Sequence, residues 1–199
     1  MIFNKITFIH IPKTAGSSII NSLNKNYLLV FKGNKEDFLR EKIDPNANYN
    51  NTSNLIGEFD NHLPFDLIKL NKKYFNNQTF TFIRNPFSRA VSLYFECLRD
   101  RKHHKKLKID QNTIFEDFLN RVKQNDYWFT MPMINWIGIE NINKIDHIAK
   151  FENFDLELKK ITKKFDIKID YNIHNINNSI GSKFSPGNYI NFYKNRNTI

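Results

Sequence analysis

Short apolar runs alternate with stretches of helical spacing along the whole chain. Lys5–Ile11 (KITFIHI) predicts a buried strand, followed by a loop and a helix through about Asn24. Tyr27–Phe31 predicts a second strand. An Asn-rich surface loop at Asn46–Asn54 precedes a third at Leu55–Phe59. Pro64 opens a helix through about Lys72, and Thr79–Arg84 is a fourth strand. Pro86 then occupies a first helical turn, where its missing N–H costs nothing. That helix carries Phe87, Val91, Tyr94, Phe95 and Leu98 as an apolar stripe. Thr113-x-x-Glu116 has the pattern of a capping box ahead of Phe115, Phe118, Leu119 and Val122. Lys144–Phe151 is a fifth strand, and Phe154, Leu158, Ile161 and Phe165 share one face of a final helix. Strands alternating with helices argue for an α/β layered fold with a mainly parallel central sheet flanked by helices. Ligands of such sheets sit beyond the carboxyl ends of the strands.

Length and composition narrow the class. A chain of 199 residues with 40% hydrophobic residues and 19 Phe buries a real core, which excludes global disorder. It is expected to form a single domain over residues 1–199. The longest apolar run, Tyr27–Phe31, is too short to cross a membrane, and the N-terminus lacks the apolar segment of a signal peptide. A soluble cytoplasmic protein of bacterial or viral type is the expectation. Cys97 is the only cysteine, which excludes an intrachain disulfide and fits a reducing compartment. The net charge of +10 favours an anionic partner. With 23 Lys against 7 Arg, and 30 Asn, part of that charge reads as compositional bias.

Candidate chemistry lies at two strand ends. After Ile11 come Pro12, Lys13, Thr14, Ala15 and Gly16, then Ser17 and Ser18 opening a helix. Backbone N–H groups at a helix N-terminus cradle an anion, Gly16 permits close approach, and Lys13 adds a point charge. The Lys precedes the Gly, so this is not a GxxxxGK[ST] loop. The plain alternative is a strand, a loop with a surface lysine, and a serine cap. At the fourth strand's end, Asn85 is placed to cap the helix from Pro86. Arg84 and Ser92 can meet on a second anion, with Ser88 on the same helix face as Ser92. Arg89 either joins them or braces a loop through carboxylate or carbonyl contacts.

The pair HIPKTAGSS (His10–Ser18) and RNPFSRAVSLY (Arg84–Tyr94) resembles, in order and spacing, the two cofactor motifs of the sulfotransferases of the carbohydrate and heparan sulfate 2-O-sulfotransferase-like branch. Residues Asp146–Asn153 are similar to that family's strand and turn before a late helix. The resemblance implies a three-layer fold like that of the phosphate-loop NTPases. It implies that Lys13, Thr14, Ala15, Gly16, Ser17 and Ser18 hold the 5′-phosphosulfate of 3′-phosphoadenosine-5′-phosphosulfate (PAPS), and that Arg84 and Ser92 hold its 3′-phosphate. The product would be 3′,5′-ADP, and no metal is required. Lys13 would stabilise the leaving phosphate. His62, in an element similar to the family's Gly-His-x-Pro with Asn61 in place of Gly, would be the general base. The acceptor would be a hydroxyl, a sugar by family analogy. Glu58 and Asp60 are rival bases or orienters of His62. His10 reads as structural or as support for the site. The stretch Asn172–Pro186, with Ser179, Ser182 and Lys183, occupies the place of a late nucleotide-covering loop. The family's chain usually runs on through another helix, so this one is expected to be minimal or C-terminally short.

Three rival classes remain. A phosphate-loop nucleotide kinase is disfavoured by the position of the lysine and the lack of an evident Mg²⁺-binding Asp. A nucleic-acid module is disfavoured because no such motif is present. An inactive anion-binding relative is the third. The basic run Arg99–Lys108 reads as a solvated loop, with a glycan-attracting cleft wall as its functional alternative. Lys159, Lys160, Lys163 and Lys164 read as solvated. Trp128 and Trp136 are either sugar-stacking residues or core.

Overall fold

Strand β2 (Ile6–Ile9) is buried along its entire length, as expected of a central strand covered on both faces. In the computed structural model, which describes residues 2–3, 5–24, 29–31, 62–69, 77–169 and 188–194, it lies at the centre of a five-stranded sheet. The other strands are β1 (Ile2–Phe3), β3 (Leu29–Phe31), β4 (Gln78–Ile83) and β5 (His147–Lys150), in the spatial order β3-β1-β2-β4-β5. β2 pairs parallel with β4, and β4 with β5, while β1 is antiparallel to both its neighbours. The mainly parallel α/β sheet expected from the sequence is therefore present, and β1 is the one reversed strand. The predicted strand at Leu55–Phe59 and the loops at Asn46–Asn54 and Asn172–Pro186 lie outside the described residues. β5 is shorter than predicted because 3₁₀ turns at Ile139–Lys144 and Phe151–Asn153 take up its flanks.

The described residues fall into two compact units, one within 1–83 and 132–174, the other within 84–131 and 175–199. The first contains the sheet. Helix α1 (Gly16–Asn24) contributes Ile19 and Leu23 to its core, and the late helix Phe154–Phe165 contributes Leu158, Ile161 and Phe165. Both pack with Ile6, Phe8, Phe80 and Phe82 from β2 and β4. The rings of Phe8 and Phe80 stack at 5.0 Å, and Phe165 lies 5.9 Å from Phe80. Full burial of each such side chain contributes roughly 1.5–3 kcal/mol. Thr7, Ile9 and Thr81, pointing to the other face, are equally buried. Thr81 Oγ1 donates to the Ile9 carbonyl at 2.8 Å, and the Asp146 carboxylate accepts from Thr79 N at 2.7 Å, tying the parallel strands together.

The second unit begins with a helix at Pro86–Arg99. Asn85 caps it as expected, its Oδ1 accepting from Phe87 N at 3.0 Å and Ser88 N at 3.2 Å. The buried positions are Ser88, Arg89, Val91, Leu93 and Cys97, whereas Phe87 is 56% exposed. The stripe predicted from apolar spacing is thus only partly right. Burial extends round to Arg89, Leu93 and Cys97, which recur every fourth residue and share a face. Tyr94 donates to the Thr113 carbonyl at 2.8 Å and lies among Phe95, Phe115, Phe118 and Phe192.

Two local readings are corrected. Thr113 does not cap the helix at Phe115–Gln124, whose N-cap is Ile114 without a side-chain bond. The Thr113 hydroxyl donates to the Asp110 carboxylate at 3.0 Å and accepts from Asp110 N at 2.9 Å, closing its own turn first. The basic run is also more than a loop, because Lys102–Leu107 is helical. Its cations are exposed as expected, but His103 and Leu107, four residues apart, are buried and anchor it. His103 Nδ1 is 2.7 Å from the Tyr127 hydroxyl, and its ring stacks on Phe129 at 4.4 Å.

Burial holds His103 down to about 4, below its ordinary 6.5, against the opposing pull of Asp100. The folded chain therefore binds this proton later than the unfolded chain. The stability from a neutral His103 is fully present above pH 6.5 and is lost as pH falls towards 4. Melting curves from pH 7 to 4 should show wild type losing more stability than His103→Gln; parallel curves would refute this.

Candidate functional site

Beyond β2 the chain stays buried through His10 and Ile11, then turns sharply into α1. Lys13 (φ 64°) and Ala15 (φ 76°) both adopt the left-handed conformation that non-glycine residues rarely take. Each such residue costs on the order of 1–3 kcal/mol and persists only where its surroundings fix it. Here the buried Thr14 between them donates its hydroxyl to the Ile11 carbonyl at 2.9 Å. Backbone that passes in and out of the left-handed region turns successive N–H groups towards one point and makes an anion-binding concavity. It runs directly into the N-terminus of a nine-residue helix with no acidic residue in its first turn. Ser17 is exposed, and Lys13 and Ser18 are half-buried. N–H groups, one ammonium and two hydroxyls form a donor set with the chemistry to hold phosphate-type oxygens.

Gly16 has a reason that the sequence did not reveal. A Cβ on it would lie 1.7 Å from His10 Nε2 and 2.0 Å from His10 Cδ2. The imidazole of His10 thus fills the space beneath the start of α1. The only hint in the sequence was a histidine inside an otherwise apolar strand.

His62 is seated on the same ring. Its imidazole centroid is 3.8 Å from that of His10, and its Nδ1 lies 2.8 Å from the His10 carbonyl oxygen. A carbonyl only accepts, so His62 Nδ1 is the donor and the lone pair of the neutral ring is on Nε2. Trp136 approaches the ring edge-on at 5.9 Å. The helix that follows, Phe65–Lys69, is tied down by the buried Asn141. Asn141 accepts from Lys69 Nζ at 2.7 Å and donates to Asp66 at 2.8 Å. Burial raises the Asp66 carboxyl, but hydrogen bonds from Lys69 and Asn141 outweigh it and hold it below the usual carboxylate range. The structure thus brings the Lys13–Ser18 loop and His62 together through His10. Glu58 and Asp60 lie outside the described residues.

In the second unit, Arg84 is the residue after the last of β4. Its Nε donates to the buried Ser88 hydroxyl at 2.6 Å, and Ser92, one turn further along the same helix, is half-buried. Arg89 braces a loop, with Nη1 donating to the Met131 carbonyl at 3.0 Å. Burial, with the like charge of Arg84, brings the Arg89 guanidinium down to about 10. Two mutually repelling guanidinium groups make this helix start electropositive. Trp128 and Trp136 are both buried, which assigns them to the core. Among the described residues, no group of three or more His, Cys, Asp or Glu is arranged to hold a metal ion.

Residues 3–196 match the family model described as "Sulfotransferase family". No curated protein and no solved structure matches the chain.

Gly16→Ala places a methyl group on the His10 ring, which also contacts the ring of His62. Destabilisation of about 1–3 kcal/mol is expected from such overpacking, visible as a lower melting temperature. Unchanged melting would show that His10 yields freely.

Proposed function

The chain belongs to the sulfotransferase family, and from that premise we propose that it transfers the sulfuryl group of PAPS to a hydroxyl acceptor, a sugar of the kind used by the carbohydrate branch it resembles. The observation that carries this reading is the seating of His62, whose Nδ1 bonds the carbonyl of His10, the residue whose ring lies against Gly16 of a strained, cation-bearing loop.

PAPS supplies an activated sulfuryl group whose leaving side is a phosphate and whose ribose bears a second phosphate. The N–H groups of the Lys13–Ser18 loop, with the Ser17 and Ser18 hydroxyls, hold the 5′ end. Arg84 and Ser92 hold the 3′-phosphate, with the guanidinium providing a planar fork. The Lys13 ammonium neutralises charge that builds on the leaving phosphate oxygen. His62 Nε2 accepts the proton of the acceptor hydroxyl, while Nδ1 keeps its bond to the His10 carbonyl. Positioning and electrostatics carry the reaction, as in phosphoryl transfer. No helix among the described residues is long and apolar enough to cross a membrane.

Melting with added nucleotides tests the donor. A ligand at a hundred times its Kd stabilises the fold by about 2.7 kcal/mol. Clear stabilisation by 3′,5′-ADP and little by 5′-ADP is expected, and Arg84→Ala should erase the difference. Equal stabilisation by both nucleotides in wild type would reject a 3′-phosphate site. His62→Ala should leave 3′,5′-ADP binding largely intact, whereas Lys13→Ala should weaken it, because that product carries the phosphate charge that Lys13 faces. Each should lower turnover of radiolabelled PAPS roughly 10²–10⁴-fold. Full turnover by His62→Ala would reject it as the base.

A further inference from the structure

The His10 side chain touches two parts of the site and has no role in the chemistry described so far. Its Nε2 edge occupies the place a Gly16 side chain would take. One ring face receives His62 at 3.8 Å and an interplanar angle of 33°. Phe8 stacks on the same imidazole at 5.5 Å, 21° from parallel. The side chain is 8% exposed, and the backbone on either side of it is held in the sheet and the loop. A ring wedged in this way cannot turn without displacing either the loop or His62.

The backbone carbonyl of His10 alone would fix only one point of His62, its Nδ1. Rotation about that hydrogen bond would swing Nε2 through an arc. The ring contact removes that freedom, and Trp136 at the ring edge limits sliding. Misplacement of a reacting group by about 1 Å can cost a hundredfold in rate.

We propose that the imidazole of His10 is a positioning residue that sets the direction of His62 Nε2 relative to the donor loop by serving as the common seat of His62 and Gly16. The proposal rests on the reading of His62 as the base. It gives the strand histidine a role beyond filling the core. The requirement is for a flat ring of imidazole size, with one edge against a glycine and one face against another ring.

The test uses the full chain and two independent readouts. In the unliganded protein, the fall in melting temperature caused by Gly16→Ala should disappear in a His10→Ala background, because the atoms the new methyl meets are gone. Persistence of the full penalty overturns the shared seat. The second readout is transfer from radiolabelled PAPS to a panel of neutral, amino and uronic sugars, with sulfate released to water counted in the same reaction. There His10→Ala should lower kcat about 10- to 100-fold while 3′,5′-ADP affinity stays within about threefold. The same change made in His62→Ala should cost nothing more, since it acts through that ring. His10→Gln, which keeps length and polarity but not the ring, should behave like His10→Ala. Wild-type kcat in both variants, or an equal further loss in the His62→Ala background, overturns the proposal. So does failure of both variants to fold, which would make His10 a stability residue alone. Wild-type turnover by His62→Ala instead shows that the base assignment has failed, and the proposal falls with it for that separate reason.

Discussion

The contact between two imidazoles governs the arrangement of this site. His10 directly follows the buried strand β2, and its ring meets both the first residue of α1 and the ring of His62. Its carbonyl accepts a hydrogen bond from His62 Nδ1. The loop proposed to bind the donor and the histidine proposed as the base, 49 residues apart from Lys13 to His62, therefore share one reference. That reference originates in the sheet. β2 is buried on both faces and pairs parallel with β4, so the atoms that carry His10 lie in the least deformable part of its unit.

The strain in the loop belongs to the same design. Lys13 and Ala15 hold conformations that cost free energy, and burial of the Thr14 hydroxyl on Ile11 helps to offset it. A relaxed loop would keep the lysine but lose the convergence of its N–H groups. The electropositive start of the second unit depends on a different device, in which Arg89 Nη1 donates to a carbonyl and Arg84 bonds the Ser88 hydroxyl. Of the two arginines, burial commits Arg89 to structure, while Arg84 is half-buried at the helix start.

Much of this was legible in the sequence, for identifiable reasons. Periodicity located β2, α1, β4 and the helix of Leu158, Ile161 and Phe165, because long amphipathic or wholly apolar segments leave one way to be buried. The cap at Asn85 and the proline after it were readable because their chemistry is local. Partnerships across sequence were not. Gly16 looked like a glycine for a ligand, and only the fold shows His10 beneath it. Thr113 looked like a cap, but a nearer partner at Asp110 competes for its hydroxyl. The basic run looked like a loop because its anchors, His103 and Leu107, are only two buried residues among exposed cations. The bond from Arg84 to Ser88 was not readable either, because Ser88 and Ser92 share a helix face and only side-chain direction separates them.

The account depends on where the proton of the neutral His62 ring resides. Nitrogen-15 NMR of the imidazole side chains in the unliganded protein, at a pH where His62 is neutral, reads this directly. The structure predicts a single tautomer with Nδ1 protonated and Nε2 bearing the lone pair. A ring protonated at Nε2, or one averaging between the two forms, would contradict it.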